Sequence, residues 1–135
     1  MIDKRQFYIN GQWVSPVKAN DFDIIDPSNE DVVGVISLGG QDDTNAAVAA
    51  AKAAFPAWSQ TSKKERLMLL EKLLEVYKSR QAEMAQAISL EMGAPKKLAR
   101  NQQVGAGTWH LQGFINAFRD FEFDRPLGTQ APNER

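Results

Sequence analysis

The chain has 135 residues, 43% of them hydrophobic, with 16 basic and 17 acidic side chains and a net charge of −1. That is one domain's worth of material with ordinary globular composition, and the balanced charge with no basic patch disfavours nucleic acid as a partner. The absence of cysteine excludes disulfides, thiolate metal sites and a cysteine nucleophile within this chain.

Met1 to Gln6 carries no apolar run and no small-residue cleavage site, so it does not read as a secretory signal. No segment has the apolar length needed to cross a membrane, and a cytoplasmic protein without a membrane partner is expected. Phe7-Tyr8-Ile9 and Gln12-Trp13-Val14 flank Asn10-Gly11, the pair a type I′ hairpin turn favours because both of its central positions take positive φ. Ser15 to Asn20 is a polar connector. Phe22 to Ile25 is predicted as a strand closed by the turn residues Asp26-Pro27-Ser28-Asn29, with Val32 to Ser37 returning as its hairpin partner. Gly39-Gly40 ends the β-rich portion.

Asp42, Asp43 and Thr44 are predicted as N-cap residues, their acids favoured by the helix dipole. The alanine-rich helix behind them carries Ala47, Val48, Ala51, Phe55 and Trp58 on one face, and Pro56 is expected to end or bend it. The longest predicted element runs from Ser62 to Gly93. Ser62 and Glu65 form a capping box at its start, Gly93 supplies the permissive stop, and Pro95 follows. Leu67, Leu70, Leu73, Leu74, Tyr77, Met84, Ala85, Ile88 and Met92 gather in one sector at helical spacing, with Gln81 and Glu91 as polar residues in or beside it. A single run of about 45 Å is long for a domain of this size, which leaves room for a kink near Arg80-Gln81.

Pro95 is expected at the first position of a third helix, with Leu98, Val104, Leu111, Phe114, Ile115 and Phe118 on its apolar face. Gly105, Gly107 and Gly113 within it imply close approach by a neighbour or a ligand. From Phe121 the chain reads as extended and polar through Gln130 to Arg135. The predicted class is α+β, two short hairpins followed by three helices. The apolar faces of those helices exceed what these elements can bury among themselves, so the chain reads as part of a larger core.

Few residues point to chemistry unaided. Gly105-Ala106-Gly107 follows no strand, and glycines in a crowded helix explain it better than a dinucleotide loop does. His110, the only histidine, has no second histidine or cysteine at ligand spacing. Trp13, Trp58 and Trp109 are scattered and read as core anchors. Glu91, beside the apolar sector, needs a partner: a basic side chain, backbone N–H groups, or a cation held with nearby carbonyl oxygens.

An ordered series of motifs carries a resemblance. It runs through Ile9-Asn10-Gly11-Gln12-Trp13-Val14, Asp26-Pro27, the Ala47-Val48 to Phe55 and Trp58 pattern, Arg66 opening the leucine-rich helix, and Glu91-Met92-Gly93-Ala94-Pro95. Together these resemble the amino-terminal portion of the NAD(P)-dependent aldehyde dehydrogenase superfamily, from Phe7 to Pro95 and more loosely to Phe121. The resemblance implies oxidation of an aldehyde to a carboxylic acid through a cysteine thioester, with hydride passing to NAD or NADP. It puts the catalytic and cofactor-binding residues outside this chain, which is then inactive alone. The surplus apolar faces of the helices lead to the expectation of a homo-oligomer. Residues 1–40 read as a β-hairpin region, 41–121 as a three-helix region that the resemblance assigns to the cofactor-binding domain, and 122–135 as an extended segment leading to a continuation. The resemblance also implies a Na⁺ or K⁺ site made by the carbonyls of Ile24 and Ile25 with the acid of Glu91, and it places Gln102 and Ala106 at the substrate entrance. A non-catalytic helical binding or self-assembly module is the alternative reading.

Overall fold

The computed structural model of the chain describes residues 1–128; the expected extended run from Gln130 to Arg135 lies outside them. Five strands precede the helices: β1 (Ile2–Lys4), β2 (Phe7–Ile9), β3 (Gln12–Val14), β4 (Asp21–Ile25) and β5 (Val32–Ser37). β2 and β3 form the expected hairpin, with Phe7 opposite Val14, and Asn10 and Gly11 take φ of 52° and 76° at the turn. β4 and β5 pair antiparallel as predicted, from Asp21 opposite Ser37 to Ile25 opposite Val32. β1 was not anticipated. It adds to β5 in parallel, giving the order β1-β5-β4. Its three residues are exposed and show no alternation, which is why the sequence hides it.

α1 (Gln41–Ser59) starts one turn earlier than its acids suggested. Gly40 is the N-cap, and Asp43 sits three residues on, reaching back to accept the Gly40 N–H at 2.8 Å. Pro56 does not end the helix; it lies in the last turn, and the helix runs on to Ser59. Arg66 then closes that end. Its guanidinium donates to the Trp58 and Ser59 carbonyls and lies over the Trp58 ring, 5.4 Å from the centroid.

The long predicted helix is broken where its length allowed. α2 (Lys63–Ser79) and α3 (Gln81–Met92) meet at Arg80, whose φ of −108° and ψ of 12° leave the helical region. The Ser62–Glu65 capping box is present, and Gly93 stops α3 in the left-handed conformation at φ 63°. Pro95 is the N-cap of the next element, not its first helical residue, because ψ of 130° keeps it extended. The third predicted helix is three segments in line: α4 (Lys96–Leu98), a π-helical turn (Ala99–Gln103) and α5 (Val104–Asp120).

The core is small and sits between α2 and α3 on one side and the π turn and α5 on the other. Ile115 is 1% exposed and Ala99 fully buried, with Val104, Leu74 and Ala85 beside them. α2 and α5 are tied at one end by Lys63, whose amine donates to the carbonyls of Arg119 and Phe121, and by an Arg119–Glu71 ion pair at 2.6 Å. The tryptophans are not core anchors: Trp13, Trp58 and Trp109 are all exposed. Phe55 and Phe114 also stand in water at 63% and 68% exposure, so the surplus apolar surface expected from the sequence is present.

Candidate functional site

Two regions hold the residues singled out by the sequence. The first is the junction between the end of β4 and the end of α3. Asp26 organises the turn after β4: its N–H donates to the Asp31 carbonyl, its own carbonyl accepts from Glu30, and its carboxylate accepts the Ser28 N–H at 2.8 Å. Pro27 then packs on Gly93, where an added Cβ would lie 3.0 Å from the proline ring. This contact joins the turn two residues beyond Ile25 to the helix stop two residues beyond Glu91. Between Ile24 and Ile25 the ladder shifts, from Gly34 to Val32 as successive partners, and such an irregularity loosens the pairing of nearby carbonyls. Glu91 is exposed and makes no hydrogen bond or ion pair with another described residue. Its carboxylate is therefore solvated, and the burial argument for a compulsory partner does not hold.

Beside this junction lies a groove of about 820 Å³, lined by Asp26, Ser28, Gln86, Ser89, Lys96 and Arg100 among others. The described residues contain no group of three or more His, Asp or Glu side chains able to hold a metal ion.

The second region is the π turn and the start of α5. Gln102 lies in the turn and Ala106 in the first turn of α5, both exposed. The extra residue of the turn lies between Ala99 and Val104, where the Val104 N–H reaches five residues back to the Ala99 carbonyl. Two side chains of the facing helices grip the turn's far side. The Tyr77 hydroxyl donates to the Val104 carbonyl at 2.9 Å, and the Gln81 amide donates to the Thr108 hydroxyl at 2.6 Å. Gly107 makes room for this: a Cβ there would meet the Tyr77 hydroxyl at 2.2 Å. Close approach thus explains one of the three helical glycines, while Gly105 and Gly113 face open space among the described residues. Gln103 keeps its side-chain oxygen buried with no hydrogen-bond partner.

Sequence reasoning singled out Gln81 as a polar residue on an apolar sector, and its bond to Thr108 is the reason for it. Tyr77 reads as an ordinary apolar position; only its hydroxyl, set opposite a glycine-rich helix, could have signalled the grip. His110 is exposed, its ring 4.8 Å from that of Trp109 and tilted 57° to it, and it belongs to no metal-ligating group among the described residues.

The sequence matches the profile of the aldehyde dehydrogenase family over residues 13–132. It is 45% identical over 130 residues to 3-succinoylsemialdehyde-pyridine dehydrogenase of a Pseudomonas species, covering 96% of this chain and 27% of that relative. The fold is similar to the crystal structure of an aldehyde dehydrogenase from Bartonella henselae, with a TM-score of 0.93 at 45% identity over 98% of this chain and 28% of that one. It is also similar, at TM-score 0.88 and 36% identity over 92% of this chain and 26% of that one, to a mutant of aldehyde dehydrogenase C from Pseudomonas syringae solved with NAD⁺ and octanal. The chain spans about a quarter of the length of these relatives.

Proposed function

Because the chain belongs to the aldehyde dehydrogenase family, we propose that it is the amino-terminal portion of an NAD(P)-dependent enzyme that oxidises an aldehyde to a carboxylic acid through a cysteine thioester. The observation that carries this is the agreement in fold, at TM-score 0.93, along nearly the whole of this chain. The chain's own residues do not fit a dinucleotide. Gly105 and Gly107 lie inside a helix instead of between a strand and a helix, and Gly107 is occupied by Tyr77. NAD or NADP, and the thiol this sequence lacks, belong in this reading to the remainder of the enzyme.

What this chain contributes in that reading is a frame: residues 1–40 as a β-rich region, 41–121 as helices of the cofactor-binding domain, and 122–135 leading onward. Gln102 and Ala106 stand at the aldehyde's entrance. The Ile24 and Ile25 carbonyls with the Glu91 carboxylate hold Na⁺ or K⁺. An all-oxygen donor set suits a hard cation, and both the irregular ladder at Ile24–Ile25 and the Pro27–Gly93 contact favour the arrangement. A homo-oligomer in the cytoplasm completes the proposal; among the described residues no helix is long and apolar enough to cross a membrane.

Replacing the matching first quarter of the Pseudomonas relative with this chain tests the reading. A folded chimera that reduces a nicotinamide cofactor in the presence of aldehyde is the expected result, whereas a folded but inactive chimera overturns it. The 135-residue chain alone should give no turnover, because it has no thiol to attack the carbonyl. In the chimera, replacing choline chloride with KCl should raise the thermal midpoint. E91Q should abolish that difference, and an unchanged difference removes the cation site.

A further inference from the structure

We propose that Tyr77 and Gln81 are positioning residues that fix where the π turn sits, and thereby set the facing of the two entrance positions, Gln102 and Ala106. This rests on the entrance reading above and deepens it. A π turn is one extra residue threaded into a helix, and a helix can in principle carry that extra residue at neighbouring positions. Something must hold it between Ala99 and Val104. On the near side, Ala99 is fully buried and the Ser89 hydroxyl donates to the Ala94 carbonyl at 2.7 Å, anchoring the approach. On the far side stand two rungs: Tyr77 near the end of α2 and Gln81 at the start of α3, on either side of the break at Arg80, bond to positions 104 and 108, one turn apart on α5.

Gly107 admits the Tyr77 ring between the rungs, so the grip depends on a missing side chain as much as on the two bonds. The partnerless oxygen of Gln103 is the corresponding cost, since the held turn draws it inside where no described donor reaches it. Shifting the extra residue by one position would turn each residue it passes by about 100° about the helix axis. Gln102 and Ala106 lie on opposite sides of the turn's end, so their mutual orientation depends on it.

The test compares the unmodified 135-residue chain with the double variant Y77F/Q81L by hydrogen exchange. Amides from 99 to 108 should exchange about tenfold or more faster, with α1 unchanged, as loss of local anchoring requires. Q81E, whose carboxylate can accept from the Thr108 hydroxyl, should restore most of the protection when paired with native Tyr77. Unchanged exchange over 99–108, or equal acceleration in α1, overturns the proposal. In the chimera, the double variant should change the ratio of kcat/KM between short and long aldehydes while the thermal midpoint of the remainder holds. Faster exchange with an unchanged ratio upholds the positioning role and removes the entrance reading instead.

Discussion

Asp43 shows how much one side chain can join. Its two carboxylate oxygens accept the Val17 N–H of the polar connector and the Gly40 N–H at the helix start, both at 2.8 Å. Those donors, Val17 first, hold its carboxyl below the ordinary carboxylate value. A carboxyl depressed in the folded state stabilises the fold fully above the ordinary value near 4, and that contribution is lost as the pH falls through the lower, folded-state value. D43N removes the charge while keeping the size. It should melt lower than the native chain at neutral pH, and the gap should close on acidification. Urea midpoints at about pH 2.5, 4 and 7 check this; a gap that is the same at all three excludes the role. From the sequence, Asp43 read as one of three interchangeable caps. Its spacing to Gly40 was the available signal, and the tertiary bond to Val17 was not.

At the scale of elements, what the sequence made legible was local. The Asn10-Gly11 turn, the Ser62–Glu65 box and the Gly93 stop are all encoded within a few residues, and all three appear where expected. Ser62→Ala should cost about 0.5–2 kcal/mol in unfolding free energy, since its hydroxyl accepts the Glu65 N–H. Denaturant unfolding measures it, and a change under a few tenths would mean that solvent serves the helix start equally well. The features missed are those set by distant partners. The two bonds beyond the π turn, from Tyr77 to Val104 and from Gln81 to Thr108, each join residues 27 apart in sequence. Pro56 stands in the last turn of α1, where it forgoes the bond to Lys52 but has only three helical residues after it, and Arg66 caps the carbonyls of Trp58 and Ser59 at that end. The supposed need of Glu91 for a partner failed because helical periodicity assigns a sector, not the depth of that sector.

Across the whole molecule, apolar surface is the dominant fact. Phe55, Trp109 and Phe114 are exposed together with Val48, Leu73 and Met84, whereas the buried apolar core is confined to a handful of residues. At roughly 25 cal/mol per Å², a few hundred Å² left in water forfeits several kcal/mol, comparable to the stability of a small domain. The isolated chain should therefore self-associate. Sedimentation equilibrium at high micromolar concentration should show species heavier than the monomer, and a compact monomer that binds no hydrophobic dye would refute this. In the chimera the same surface should be covered, with dye binding falling to that of the native relative.

The parallel pairing of β1 with β5 bears on the order in which the chain folds. Ile2 stands opposite Gly34, while the hairpin at Asn10-Gly11 closes over two residues. A tight hairpin forms within microseconds, but β1 must wait until β5 has been placed and a loop of about 30 residues has closed. Contacts made after the transition state affect escape from the native state more than arrival at it. Ile2→Ala should accordingly speed unfolding and leave the refolding rate nearly untouched in stopped-flow measurements; a refolding limb that slows in proportion to the lost stability would place β1 in the folding nucleus instead.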